Sequence, residues 1–176
     1  MEKWLHIEEF ITFPKVTFYT VRFERDSEMD DMSETDKFFH KFENNLEHTR
    51  ELDAMSIFLK KIGERFGAHR DLFRHERSAE ALPPKIKMMA RFGFFDFSET
   101  DDIKRRLYCL RLSDSVVILF NGGFKTNDDP EKCDNVRPHF RDAQIFAKRI
   151  NGKLNNKDFL LSKGRLTSDD ELAFRY

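Results

Sequence analysis

From Val16 the chain alternates. Val16, Phe18, Thr20, Arg22 and Glu24 fall on one side of an extended backbone, and Thr17, Tyr19, Val21 and Phe23 on the other. A period of two in aromatic and β-branched residues predicts a strand. After the acidic break DSEMDDM, Ser33 stands as a helix N-cap with an acid three residues on, and Phe38, Phe39, Phe42 and Leu46 follow as one apolar stripe. The next stripe is Leu52, Met55, Leu59, Ile62 and Phe66, widened by Phe58 and stopped at Gly67. These two segments predict a helical hairpin packed on one face of a sheet.

Downstream the period changes again. Asp71–Glu76 reads as a short strand-like segment, and Pro83-Pro84 imposes an extended or turn conformation. Met88–Phe97 reads as a further strand interrupted at Gly93, and SETDDIK as a polar connection. Leu107–Leu112 and Val116–Phe120 predict a hairpin turning at Ser113-Asp114, with Gly122-Gly123 marking a bulge or a close backbone approach. Pro138 suits the first turn of a last helix, whose stripe is Phe140, Ala143, Ala147, Ile150 and Leu154. Helices early and strands mostly late predict an α+β fold, with helices on one face of an antiparallel sheet. The expected organisation is a single domain over residues 1–154, then a weakly periodic tail or short helix over 155–176.

Composition adds limits. The chain has 176 residues, 39% of them hydrophobic, and 20 Phe against one Trp supply its aromatic core. No run is long or apolar enough to span a bilayer, and MEKWLHIEEF has acids where a signal peptide would be basic and then apolar. Cys109 and Cys133 form neither a disulfide framework nor a metal-ligand spacing, so a reduced, cytoplasmic setting is expected. The net charge of −1 conceals segregation, since residues 1–59 carry 7 Lys/Arg against 14 Asp/Glu while residues 60–111 carry 13 against 8. An anionic ligand would be drawn to the middle third.

The candidate chemistry follows from what is missing. There is no phosphate-binding glycine loop, HExxH, GxSxG or paired CxxC, and the six His stand at no ligand spacing, so no metal or cofactor is expected. What remains is a set of cations near strand ends: Arg70, Arg74, Arg77, Lys85, Arg105, Arg106, Arg111 and Lys125, with Tyr108 and His75 among them. Such a set could bind RNA through its phosphates, and could promote cleavage by 2′-OH attack. His75, Glu76 or Tyr108 would take the proton roles, and Arg74, Arg106 or Lys125 the charge on phosphate. The alternative is that these cations are solvated edge protection and that Tyr108 is a core residue.

The order of elements, with the Arg106-Leu107-Tyr108 strand and VVILFNGGFKT ending in Phe124-Lys125-Thr126, resembles the RelE/ParE toxin superfamily, especially its HigB-like branch, over roughly residues 16–151. The family has a strand, a helical hairpin, an antiparallel sheet ending in a hairpin, and a closing helix; here Ala143 and Ala147 lie where that helix stands. The resemblance implies a bacterial, ribosome-dependent mRNA endonuclease of a toxin–antitoxin system, neutralised by a partner antitoxin and working without metal. It implies that Arg106 stabilises phosphate charge, that Lys125 contacts RNA, and that Arg74 to Arg77 add basic groups. The late catalytic His or Tyr of the family would correspond to His139 or Tyr176. The chain departs from the family in its length, its near-neutral charge and its acidic first third. A second expectation, which those departures favour, is a non-catalytic interaction module or ParE-like enzyme inhibitor on the same fold. A third is an accessory protein of a mobile element.

Overall fold

The computed structural model describes residues 2–93 and 104–176, apart from the Glu47 side chain. An eight-stranded sheet runs through it in the order β10–β1–β2–β7–β6–β5–β4, with β3 pairing β2 off that path. The strands are β1 (Lys3–Thr12), β2 (Thr17–Arg25), β3 (Glu28–Met29), β4 (Arg74–Glu76), β5 (Ala79–Leu82), β6 (Arg105–Arg111), β7 (Val116–Phe124) and β10 (Ala173–Arg175). A separate hairpin joins β8 (Phe159–Ser162) to β9 (Arg165–Ser168). The helices are α1 (Glu34–Phe42), α2 (Leu46–Lys61), α3 (Ile86–Arg91) and α4 (Arg137–Asn155). The fold is therefore α+β around a large, mostly antiparallel sheet, the exception being the parallel pairing of β2 with β7.

The helices do not share one face. Alternation along β2 and β7 sends Tyr19, Val21, Ile118 and Phe120 into a core with Phe140, Phe146 and Ile150 of α4. It sends Phe18, Val117 and Leu119 into another with Phe38, Met55 and Phe58 of α1 and α2. Both faces of the central strands are apolar, so the sheet needs a cover on each side. The expectation of helices on a single face is corrected here: a stripe tells that a helix is buried, not on which side.

Local signals explain several elements. Ser33 caps α1, its hydroxyl accepting from the Asp36 N–H at 3.1 Å. The α2 helix ends in a π-helical turn, Ile62–Phe66, and Gly67 leaves it at a φ of 74°. Three segments differ from expectation. Ile86–Arg91 is helical where a strand was expected over Met88–Phe97, because six apolar-rich residues carry too little period to separate the two states, and residues 94–97 lie outside the described residues. The β1 strand occupies the acidic N-terminus, with Leu5 and Ile7 buried between exposed or half-buried neighbours. Beyond Asn155, where a tail or short helix was expected over 155–176, the chain is neither. Lys163 and Gly164 adopt positive φ in a two-residue turn between β8 and β9, and β10 then completes the sheet against β1. Among the described residues no helix is long and apolar enough to cross a membrane.

Candidate nucleic-acid interface

The end of the β6–β7 hairpin is built by a backbone contact that only glycine permits. Gly122 faces Leu107 in register, and a Cβ on Gly122 would stand 1.7 Å from the Arg106 carbonyl oxygen. A Cβ on Gly123 would stand 2.5 Å from the Asn135 carbonyl oxygen, so the strand end is clasped between β6 and the loop before α4. The ladder closes with the Lys125 N–H donating to the Lys104 carbonyl at 2.7 Å.

This closure gathers cations. Lys104, Arg106 and Lys125, with Thr126, Asn127 and Asp128, line a pocket of about 350 Å³. Arg106 is 4% exposed, and its Nη1 donates to the Arg105 carbonyl at 2.9 Å. Three cations face one carboxylate there, and a helical or strand-end cation cluster of this kind attracts a phosphate. The loop beyond is pinned by Cys133, whose sulfur lies 3.3 Å from the Thr126 N–H and 3.2 Å from its hydroxyl. Burial pushes the Cys133 thiol up, but hydrogen bonds from Thr126, Asn135 and Val136 outweigh it and hold the thiol below its ordinary range.

The other face of the same strand end carries a different arrangement. The Arg105 side chain, fully buried, is sandwiched between the rings of Phe42 at 4.4 Å and Phe124 at 4.2 Å, with Glu51 3.4 Å from its Nε. The His48 ring packs against both phenylalanines, at 5.9 and 5.8 Å between centroids. Lys41 of α1 donates from Nζ to the Gly122 carbonyl at 3.0 Å and lies 3.1 Å from His139 Nε2. Burial, then the Lys41 ammonium, pushes the His139 imidazole down to about 4, and burial pushes Lys41 down as well. At neutral pH His139 is thus the neutral acceptor of the Lys41 bond.

A pH prediction follows from that shift. Between about 4 and the ordinary 6.5 of a histidine, the unfolded chain takes up a proton that folded His139 refuses. The folded state therefore loses stability as pH falls through that window. Urea midpoints measured from pH 7 to pH 4.5 should decline, and His139→Gln should flatten the decline.

The sequence-derived candidates divide clearly. Arg106 and Lys125 are brought into one pocket. Tyr108 is not: it is fully buried in the core, edge-on to Phe140 at 5.8 Å, and burial drives its hydroxyl far above the usual range. A phenol so placed does not serve as a base. His75 is exposed on the edge strand β4 opposite Glu80, outside the pocket. Arg70 lies in a 3₁₀ turn, and Lys85 precedes α3. Arg74 donates to the Pro83 carbonyl at 2.7 Å. Arg77 stacks over Phe140 at 5.2 Å and pairs with Glu131 at 3.8 Å. Arg111 ties the Ala68 carbonyl, at 2.5 Å, to Asp114. Arg105 is an intramolecular stack rather than a surface cation.

Sequence reasoning missed Lys41 and His48, on the adjoining helices α1 and α2, and Asn135, far along the chain before α4. The signal available was modest: an Asn just ahead of a helix, and a Lys on the flank of the α1 stripe. Among the described residues no group of three or more His, Cys, Asp or Glu could hold a metal ion. Comparison of the chain with family models, with curated proteins and with solved structures finds no match in any of the three.

Proposed function

We propose that this chain is a toxin-like, ribosome-associated RNA endonuclease of the RelE/HigB kind, working without metal, in the cytoplasm, and held in check by an antitoxin protein. The observation that carries the reading is the convergence of Lys104, Arg106 and Lys125 in one pocket at the end of the hairpin. In this reading the three cations hold a phosphodiester and stabilise the charge that grows on its oxygens as the 2′ oxygen bonds phosphorus and the P–O5′ bond breaks, with solvent taking the 2′-OH proton and returning one to the 5′ oxygen. The order β2, α1, α2, β5, β6, β7, α4, with β1, β3, β4, α3 and β8–β10 additional to it, supports the reading by following the strand, helical hairpin, antiparallel strands and closing helix that the resemblance implies. Inducing the wild-type chain should arrest growth and fragment transcripts, whereas Lys104→Ala/Lys125→Ala should do neither at equal protein level. Wild-type induction with normal growth and intact transcripts would remove the cleavage reading.

A second reading, a non-catalytic protein-binding module on the same fold, is favoured by one observation. Neither Tyr108, buried in the core, nor His75, on the edge strand, reaches the cationic pocket to move a proton. A single stoichiometric protein recovered by pull-down in RNase-treated lysate, together with no transcript cleavage, is its expected signature.

A further inference from the structure

Two pockets flank the end of β7, and only one suits a phosphate. The second, of about 390 Å³, is lined by Lys41, Phe42, His48, Gly123, Phe124 and Asn135. Phe42, Phe124 and His48 set rings beside the polar groups of Lys41 and Asn135, a make-up that suits a flat heteroaromatic ligand with hydrogen-bonding edges. We propose that this pocket is a nucleobase subsite, taking guanine from single-stranded RNA whose phosphate lies in the Lys104, Arg106 and Lys125 pocket. The inference rests on the RNA reading above and names the part of the substrate it recognises.

Three observations carry it. First, the half-buried His48 and Phe124 rings border the pocket, and an aromatic border is a feature on which unstacked bases of single-stranded RNA are recognised. Second, a lysine with spare donor capacity stands beside the rings. Lys41 has three N–H groups, and Gly122 O and His139 Nε2 engage two of them among the described residues. Arg105 takes no part in this, because its guanidinium is fully buried between Phe42 and Phe124 beside Glu51 and does not line the pocket. Third, the two pockets adjoin along the chain, Gly123 and Phe124 lining one, Lys125 and Thr126 the other. An RNA strand that runs around the end of β7 would therefore meet both.

The edge chemistry selects the base. The Lys41 ammonium seeks paired acceptors, and guanine O6 and N7 are the pair that Lys and Arg most often read. The Asn135 side-chain amide, which has no hydrogen bond among the described residues, adds a donor and an acceptor at the rim. No carboxylate lines this pocket. The contrast is the cavity beside Trp4, where the four carboxylates Asp158, Asp169, Asp170 and Glu171 outnumber Lys153 and Lys157 and disfavour a nucleotide's charge.

The test uses a short 2′-O-methyl RNA, which cannot be cleaved by 2′-OH attack, carrying one guanine. Binding is measured by anisotropy against the same strand with an abasic residue in place of the guanine. Wild type should bind the abasic strand about tenfold more weakly. His48→Ala/Asn135→Ala should bind both strands equally, while Lys104→Ala/Lys125→Ala should weaken both by the same factor. Equal binding of the two strands by wild type would overturn the base subsite and leave the phosphate site standing. If wild type retains no RNA, the phosphate reading fails. Guanosine binding that His48→Ala/Asn135→Ala abolishes would then sustain the pocket on its own, and no guanosine binding would overturn it too.

Discussion

Gly122→Ala should destabilise the fold by about 4 kcal/mol or more, a size reserved for clashes that nothing nearby can relieve. The added methyl would lie 1.7 Å from the Arg106 carbonyl oxygen, 2.8 Å from its carbon and 3.0 Å from the Leu107 Cα. All three are backbone atoms of the neighbouring strand, so no rotamer change makes room. The β6–β7 ladder must part where Leu107 pairs with Gly122 and Arg106 with Gly123. Because Arg106 is placed by that ladder, any folded remnant should also have lost the cationic pocket. The internal control is Gly152→Ala in α4, where a Cβ meets nothing within 4 Å. There the sign reverses, and the helix should gain about 1 kcal/mol. Chemical denaturation of the two variants side by side checks both. A folded Gly122→Ala protein within about 1 kcal/mol of wild type would show the strand pairing to be wrong.

Lys104→Ala/Lys125→Ala should abolish most RNA retention while leaving the fold intact. Lys104 is exposed and Lys125 half-buried, and neither belongs to a core cluster. Thermal unfolding of the double variant should therefore match wild type. RNA affinity should fall on the order of tenfold or more at ~0.1 M salt, since each phosphate contact releases condensed counterions. Arg106 is a poorer test, because at 4% exposure its removal also opens the β6 end.

Much of this arrangement was legible from the residues. Ser33 capped the helix its position suggested, Pro138 fell in the first turn of α4, and Gly122-Gly123 marked a close backbone approach. The meeting of Arg106 with Lys125 followed from antiparallel pairing alone. What stayed hidden needed the third dimension. The unbroken apolar run Val116–Phe120 says that both faces of β7 are apolar, yet only packing assigns α4 to one face and α1 to the other. Tyr108 reads as a strand tyrosine whether its hydroxyl reaches the rim or, as here, is enclosed beside Phe140. Lys41 and His139 are 98 positions apart, and no local pattern connects them. The β8–β9 hairpin was detectable in principle, from Lys163-Gly164 between Leu-bearing segments, but its exposed Leu160 and Leu161 blur the alternation.

The central claim is that the hairpin end is an RNA phosphate site. Its most direct measurement is the salt dependence of binding to a non-cleavable single-stranded RNA, for wild type and for Lys104→Ala/Lys125→Ala. A plot of log affinity against log salt should be steep and linear for wild type. Losing two phosphate contacts should make the slope shallower by about 1.4, at ~0.7 per contact on a single strand. Equal slopes and equal affinities for the two proteins would contradict the claim.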